Sequence, residues 1–269
     1  MKNKRALVTV VIPTYNRAKF LPRAIKSILK QKSKRWKLLI IDDGSKDKTR
    51  KVVRRFQKKS SKIRYVRFKK NHGVSYALKK ALSMVDTKYF AQLDADDWYQ
   101  KNTISACLKA MRKSSEKVAM VYGNERVWKL KKGKPRFQRT KKKRQFKGKY
   151  DFITYHPMIY PRFYRTSALV SVGGWSTKVP YKGRFAEDRQ ILLKLAGRYK
   201  FKWINKGLYN RLRHSKNNSR TANNKKYARV TRHLYKSALK RWGNKYKPVF
   251  KWVNGRLKVG RLKRRKKRR

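Results

Sequence analysis

The sequence predicts an α/β fold built on a mostly parallel central sheet flanked by helices. Three observations carry that prediction. Short β-branched apolar runs alternate with amphipathic stretches at helical spacing, each run ends in a polar loop, and the scarce acids fall in those loops. Strands alternating with helices at this spacing are joined by right-handed crossovers, which leave neighbouring strands parallel. In such sheets ligands sit beyond the carboxyl ends of the strands. The polar loops are therefore expected to face one cleft.

The first unit is a β-branched run at 6–12 closed by Pro13, with Thr14-Tyr15-Asn16-Arg17 as the loop at its end. Phe20, Leu21, Ala24, Ile25, Ile28 and Leu29 then recur at three-four spacing, which gives an amphipathic helix. The second unit repeats the first: a strand at 36–41, the loop Asp42-Asp43-Gly44-Ser45, and a helical face of Thr49, Val52, Val53 and Phe56 that Ser45 is expected to cap. A third strand at 63–68 ends at Asn71-His72-Gly73 and leads into a helix through Ala77, Leu78, Ala81, Leu82 and Val85. A fourth, at 89–93, delivers Asp94-Ala95-Asp96-Asp97. A helix over 101–113 and a strand over 118–122 close this half.

The second half is less regular. Residues 125–150 are rich in Lys and Arg and are expected to be mobile, with Lys132-Gly133-Lys134-Pro135 as a hairpin turn and Lys141-Lys142-Lys143-Arg144 as a solvated loop. A short strand and helix over 160–172 end at Gly173-Gly174-Trp175. Ile191, Leu192, Leu195 and Ala196 place a helix directly after Glu187-Asp188, so these carboxylates lie at a helix N-terminus, where exposed N–H groups favour negative charge. Two short strands, 201–204 and 208–212, end at Arg213-His214. Apolar residues from Tyr227 to Trp242 then recur at three-four spacing, an amphipathic helix able to pack on the domain or lie on a membrane. Residues 261–269 are basic at every position but Leu262 and are expected to be disordered.

Composition sets the bounds. The 269 residues carry 81 Lys plus Arg against 12 Asp plus Glu, a formal charge of +69. An apolar content of 39% with seven Trp, sixteen Tyr and eleven Phe excludes a disordered basic protein and allows one large domain with a sizeable core. The charge implies attraction to polyanions: nucleic acid, anionic membrane, acidic glycan or nucleotide phosphates. Cys107, alone of its kind and set among Ile104, Leu108 and Met111, reads as a buried core thiol. Only seven apolar or Thr residues precede Pro13, too few for a signal h-region or a membrane span, and no other run approaches the length of a span. A soluble, cytoplasmic protein is the expectation.

Acid is thus the exception, and seven of the twelve acids fall in three tight clusters, Asp42-Asp43, Asp94-Asp96-Asp97 and Glu187-Asp188. None follows Asp188. Crowding carboxylates costs like-charge repulsion unless a cation sits among them, and a divalent metal is the usual answer.

Taken in order, Pro13-Thr14-Tyr15-Asn16-Arg17, Ile41-Asp42-Asp43-Gly44-Ser45, Leu93-Asp94-Ala95-Asp96-Asp97, Gly173-Gly174-Trp175 and Glu187-Asp188 resemble the motifs of family 2 glycosyltransferases, inverting and nucleotide-sugar-dependent enzymes with the GT-A fold. The likeness covers about residues 6–220. It implies a GT-A domain over 1–220, with a Rossmann-like nucleotide-binding half at about 6–123 and a small acceptor-side subdomain at about 124–220. A basic helical extension at 221–260 and the tail 261–269 would follow.

The resemblance also implies roles. Asp96, in the family's Asp-x-Asp motif, would hold Mg²⁺ or Mn²⁺, and Asp94 the donor's ribose or, through water, the metal; the alternative for Asp94 and Asp97 is capping of the next helix. Asp43 would accept a hydrogen bond from the nucleotide base, with Thr14, Tyr15, Arg17 and Asn71 contributing to the donor site; alternatively Asp42 and Asp43 only start a turn. Asp188 would be the general base, with Glu187 positioning it or contacting the acceptor, against the reading of two acids at a helix start for the dipole alone. His214 matches a segment that in the family often supplies a His or Arg near the diphosphate, and is taken with Asp96 as a metal ligand within a lid over 211–220; the alternative is a surface His in a polar loop. His72 and His156 have no partner that the sequence identifies.

The implied partners are a nucleotide-sugar donor, UDP-linked or similar, and a hydroxyl acceptor on a glycan, lipid or protein. A polyanion or anionic membrane surface could be met through the basic C-terminus. Glycosyl transfer does not itself require a charge of +69; a compositional bias, packaging beside a polyanion and docking on anionic lipid remain open. The rival class is a non-catalytic polyanion- or nucleic-acid-binding protein on a degenerate transferase fold. That reading calls for no acids in the cleft.

Overall fold

The computed structural model describes residues 5–214 and 223–266. Its first strand, β1 (Val8–Thr14), is buried along nearly its whole length because helices cover both faces of the sheet. Val8, Val10 and Ile12 join one core cluster and Val11 the other, as the two-residue period of a strand requires. The chain continues through α1 (Leu21–Leu29), β2 (Trp36–Asp42), α2 (Thr49–Gln57), β3 (Ile63–Arg67), α3 (Val74–Leu82) and β4 (Tyr89–Gln92). The pairings β3-β2-β1-β4 are all parallel, as expected from the crossovers.

After the acidic loop come β5 (Trp98–Tyr99), α4 (Thr103–Arg112), β6 (Val118–Lys131) and β7 (Lys134–Lys141). Then follow α5 (Lys149–Thr154), β8 (Tyr160–Arg165), α6 (Thr166–Ser171), a 3₁₀ turn (Pro180–Gly183), α7 (Glu187–Ala196) and β9 (Lys200–Arg213). The sheet order is β3-β2-β1-β4-β8-β6-β9-β5, with β7 on β6. β8 runs antiparallel to both neighbours, and β9 is parallel to β6. Cys107 is buried among Ile104, Leu108 and Met111, as its spacing suggested.

Several local expectations are corrected. The stretch at 125–150 is a built hairpin where mobility was expected, with β6 and β7 paired across Lys132-Gly133. Lys143 is buried in place of standing in a solvated loop: its Nζ lies 3.3 Å from Glu125, which Arg211 reaches at 3.2 Å. A buried carboxylate needs cations around it, and Glu125 draws them from this stretch and from β9. The two strands expected at 201–204 and 208–212 are one, with register shifts against β6 absorbing the polar break. Ser45 does not cap α2, because the helix starts only at Thr49, whose N–H the Asp47 side chain accepts at 3.0 Å, while Ser45 Oγ accepts the Asn16 N–H at 2.9 Å.

The C-terminal region differs most. A helix, α8 (Asn224–Arg241), is present, but a hairpin of β10 (Tyr246–Val253) and β11 (Arg256–Arg264) replaces the helical extension and takes in the start of the tail expected to be disordered. The turn between the strands is Asn254-Gly255, both at positive φ, the residue pair that two-residue hairpins favour. The apolar face of α8 is used up by the protein itself: Val230, Leu234, Tyr235, Ala238 and Leu239 join the same core cluster as residues of α7 and Val259 of β11. Among the described residues no helix is long and apolar enough to cross a membrane.

Candidate active site

A cleft of about 900 Å³ opens beyond the carboxyl ends of β1, β2 and β4. Eight of the ten residues singled out from the sequence line it: Thr14, Tyr15, Arg17, Asp43, Asp94, Asp96, Glu187 and Asp188. Asp97 lines it too, so six of the twelve acids meet in one hollow. Of the other two, His214 reaches Asp96, while Asn71 stands at the edge, its side chain taken by Arg184 and by the Asp43 carbonyl at 3.3 Å.

The pair after β2 divides its work. Asp42 is fully buried and closes the turn, accepting the Ser45 N–H at 2.8 Å and the Tyr65 hydroxyl. Asp43 turns to the cleft, each oxygen accepting one backbone amide, from His72 and Gly73, at 2.7 Å. Burial raises its pKa, and these two amide bonds oppose the rise. Gly44, at φ +79°, lets the loop pass against Lys70, where a Cβ would come within 2.7 Å of the carbonyl carbon.

In the acidic loop, Asp97 is an anchor and not a helix cap. It accepts the Leu212 N–H and the Tyr209 hydroxyl, both at 2.8 Å, which ties the loop to β9. Burial, then Asp96 and Asp94, push its pKa well up. Asp96 Oδ2 lies 2.9 Å from His214 Nε2, and the His214 ring is stacked on Phe20 at 4.4 Å. Asp94 Oδ1 accepts a hydrogen bond from the Arg162 guanidinium at 2.6 Å.

Arg162, on β8, is the residue that sequence reasoning missed. Its side chain is 1% exposed and stands 2.6 Å from Asp94, 3.6 Å from Asp188 and 4.0 Å from Glu187. The cation expected among the crowded acids is thus in part the protein's own guanidinium. One Arg among 81 cations is inconspicuous, and the signal that could have found it is its place inside the strand expected from residue 160. Glu187 is pushed up to about 8 by burial and by Asp188, with Arg162 opposing. The approach to Glu187-Asp188 is unusual as well: Tyr181, Lys182 and Ala186 all have φ between 52° and 57°, a left-handed region that disfavours side chains by roughly 1 kcal/mol each. Packing of this loop, not local preference, fixes where the two acids point.

Asp96 and His214 offer one oxygen and one nitrogen donor to a divalent cation. Among the described residues no group of three His, Cys, Asp or Glu side chains converges to hold an ion. The pair fits a cation such as Mg²⁺ or Mn²⁺ that takes further oxygens from water and a substrate's phosphates. The lid expected over 211–220 falls largely on residues outside the described ones. The far wall comes from elements that the sequence had placed outside the domain: Tyr227, Thr231 and Tyr235 of α8, and Arg256, Leu257 and Lys258 of β11.

The family profile described as Glycosyl transferase family 2 matches residues 9–167. The chain belongs to glycosyl transferase family 2. A hyaluronan synthase of Pasteurella multocida, similar to this family 2 chain, is 30% identical over 229 residues, covering 81% of this chain and 21% of that one. The chain spans less than half the length of the curated relatives it matches. Among solved structures, S. aureus TarS 1–349 in complex with UDP-GlcNAc superposes with a TM-score of 0.68 at 17% identity, covering 87% of this chain and 66% of that one. The mannosyltransferase PcManGT from Pyrobaculum calidifontis, in complex with GDP-Man and Mn²⁺, gives 0.64 at 19% identity, covering 88% and 65%. These likenesses bear out the α/β fold of the GT-A type. Glu187, Asp188, His214 and the C-terminal elements lie beyond the stretch that the family 2 profile matches.

Proposed function

We propose that the protein is an inverting glycosyltransferase that moves a sugar from a nucleotide-sugar donor to a hydroxyl acceptor, with Asp188 as general base. The observation that carries this reading is that Asp43, Asp96 and Asp188, from three separate loops, line one cleft. The donors named for the two solved neighbours, UDP-GlcNAc and GDP-Man, support a nucleoside-diphosphate sugar.

The residues divide the task. Asp43, its oxygens fixed by two amides, keeps lone pairs for a ring N–H of uracil or guanine, with Thr14 and Tyr15 beside it. Asp96 and His214 would hold Mg²⁺ or Mn²⁺, which when bound neutralises charge on the departing diphosphate. Arg162 keeps Asp94 and Asp188 on one cation and so fixes donor side and base side relative to each other. The acceptor oxygen attacks the anomeric carbon on the face opposite the diphosphate, and Asp188 takes its proton as the new C–O bond forms and the bond to phosphate breaks. Configuration inverts in that single displacement. The charge of +69 adds an attraction to anionic surfaces, which salt screens beyond a Debye length of about 8 Å.

The rival reading, a polyanion-binding scaffold, gives no reason for half the acids to gather in one hollow. The test is melting with a panel of nucleoside diphosphates and Mn²⁺, followed by Asp188→Asn. Metal-dependent stabilisation by one nucleotide is expected, and D188N should keep that shift while transfer falls by about 10²–10⁴-fold. Unchanged transfer in D188N would overturn the base assignment.

A further inference from the structure

The elements beyond the family match complete the cleft on the side of Asp188. α8 presents Tyr227 and Tyr235 to it, two turns apart on one helix face, and β11 presents Arg256 and Lys258. This wall adjoins the base: the acids at 187 and 188 act electrostatically on Tyr227, and Asp188 on Tyr235. A wall beside the residue that deprotonates the acceptor faces the acceptor and not the nucleotide.

Resting on the transferase reading, we propose that α8 and the β10–β11 hairpin form the acceptor subsite and that the acceptor is an acidic glycan, one whose sugars carry anionic groups. Four of the six acids in the cleft, Asp43, Asp94, Asp96 and Asp97, stand on the donor side, and Glu187 and Asp188 mark the base; no acid follows Asp188 in the sequence, so every charged residue that α8, β10 and β11 bring is a cation. Arg189 adds another, pinned by the carbonyls of Tyr155 and His156 at 3.2 and 2.9 Å. The field these cations make is felt by His156 in the same wall: burial first, then Lys258, Arg189 and Lys251, hold it down to about 4, so it stays neutral. The Arg256 guanidinium lies over the Tyr227 ring at 4.4 Å and makes a flat, positive platform. A neutral sugar would gain from such a ring alone. A sugar with a carboxylate gains from the ring and from the cations around it.

The test is calorimetric titration of the intact protein, with saturating nucleoside diphosphate and Mn²⁺, using galacturonate tetramer and maltotetraose as probes at about 0.15 M salt, where remote charges are screened. The acidic tetramer is expected to bind more tightly by about tenfold or more, the worth of one charge-assisted hydrogen bond. Lys258→Glu should remove that advantage and Lys258→Gln weaken it in the same direction. Lys58→Glu, at an exposed residue just past the end of α2 and outside the cleft lining, should change it by less than about twofold. Equal binding of the two tetramers overturns the inference, and so does equal weakening by K58E and K258E, which would be attraction to the +69 charge at large. Either result with metal-dependent nucleotide binding intact leaves the transferase reading standing. Absence of nucleotide binding overturns that reading and this inference with it.

Discussion

Arg162→Met gives the sharpest test of how the cleft is held. The guanidinium is buried and in reach of three carboxylates, at 2.6, 3.6 and 4.0 Å, while Met keeps much of its volume and none of its charge. Removing one partner of a buried ion pair costs about 3–5 kcal/mol, because the charge left behind has neither water nor counter-ion. For a chain of this size that is a fall in Tm of roughly 10 °C. The deficit should depend on pH with a definite sign. Without Arg162 the acids are driven to bind protons in the folded state, so the variant's loss is largest at pH 8 and shrinks towards pH 5, where those protons are in place. Asp94→Asn added to Arg162→Met should recover part of the loss, since one unpaired charge is gone. Differential scanning calorimetry of the wild type, the single and the double variants across this range is the assay. An Arg162→Met protein as stable as wild type at pH 8, or a deficit that grows on acidification, would refute the argument that this one cation balances the cluster.

Other outcomes follow from the same geometry. Glu187 is held at about 8 against an ordinary 4.5, so its contribution to stability is full below 4.5 and is lost as pH rises through 8. Glu187→Gln should therefore melt higher than wild type at pH 8, by an amount of order 2–4 kcal/mol, and show no gain near pH 4.5, as denaturant titrations at the two pH values would reveal. Asp96→Asn should abolish the Mn²⁺-dependent part of nucleotide stabilisation, worth about 2.7 kcal/mol at a hundredfold excess over Kd; a retained increment in melting experiments would remove Asp96 as a ligand. Gly44→Ala forces a Cβ against the Lys70 backbone at a positive φ and should destabilise by about 2 kcal/mol in urea unfolding, weakening nucleotide binding as the Asp43 loop shifts.

Much of the parallel half was legible from the chain alone. Apolar runs of strand length, three-four helical spacing and polar loops at strand ends are local patterns, and β1 to β4 with α1 to α3 follow them closely. The acids were legible for a different reason. In a chain with 81 cations a carboxylate is conspicuous, so Asp43, Asp96 and Asp188 could be picked out and expected in one cleft. The Asn254-Gly255 turn was present as a local signal too, but the helical pattern before it and the basic run after it drew the reading towards a helix and a disordered tail.

The remainder is decided by contacts between residues far apart in sequence. Asp42 and Asp43 are adjacent and chemically identical, yet the Tyr65 hydroxyl captures one, and the loop before α3 turns the other to the cleft. Arg162 meets Asp94 from 68 positions away, and His214 meets Asp96 from 118. The return of α8 and β11 onto the wall beside Asp188 depends on packing against α7, which no local period encodes. The sequence by itself determined the strand-helix alternation and which acids were worth suspecting. Only the tertiary structure decided which buried cation balances them and what walls the cleft, because burial and Coulomb energy depend on distances in space that the order of residues along the chain does not contain.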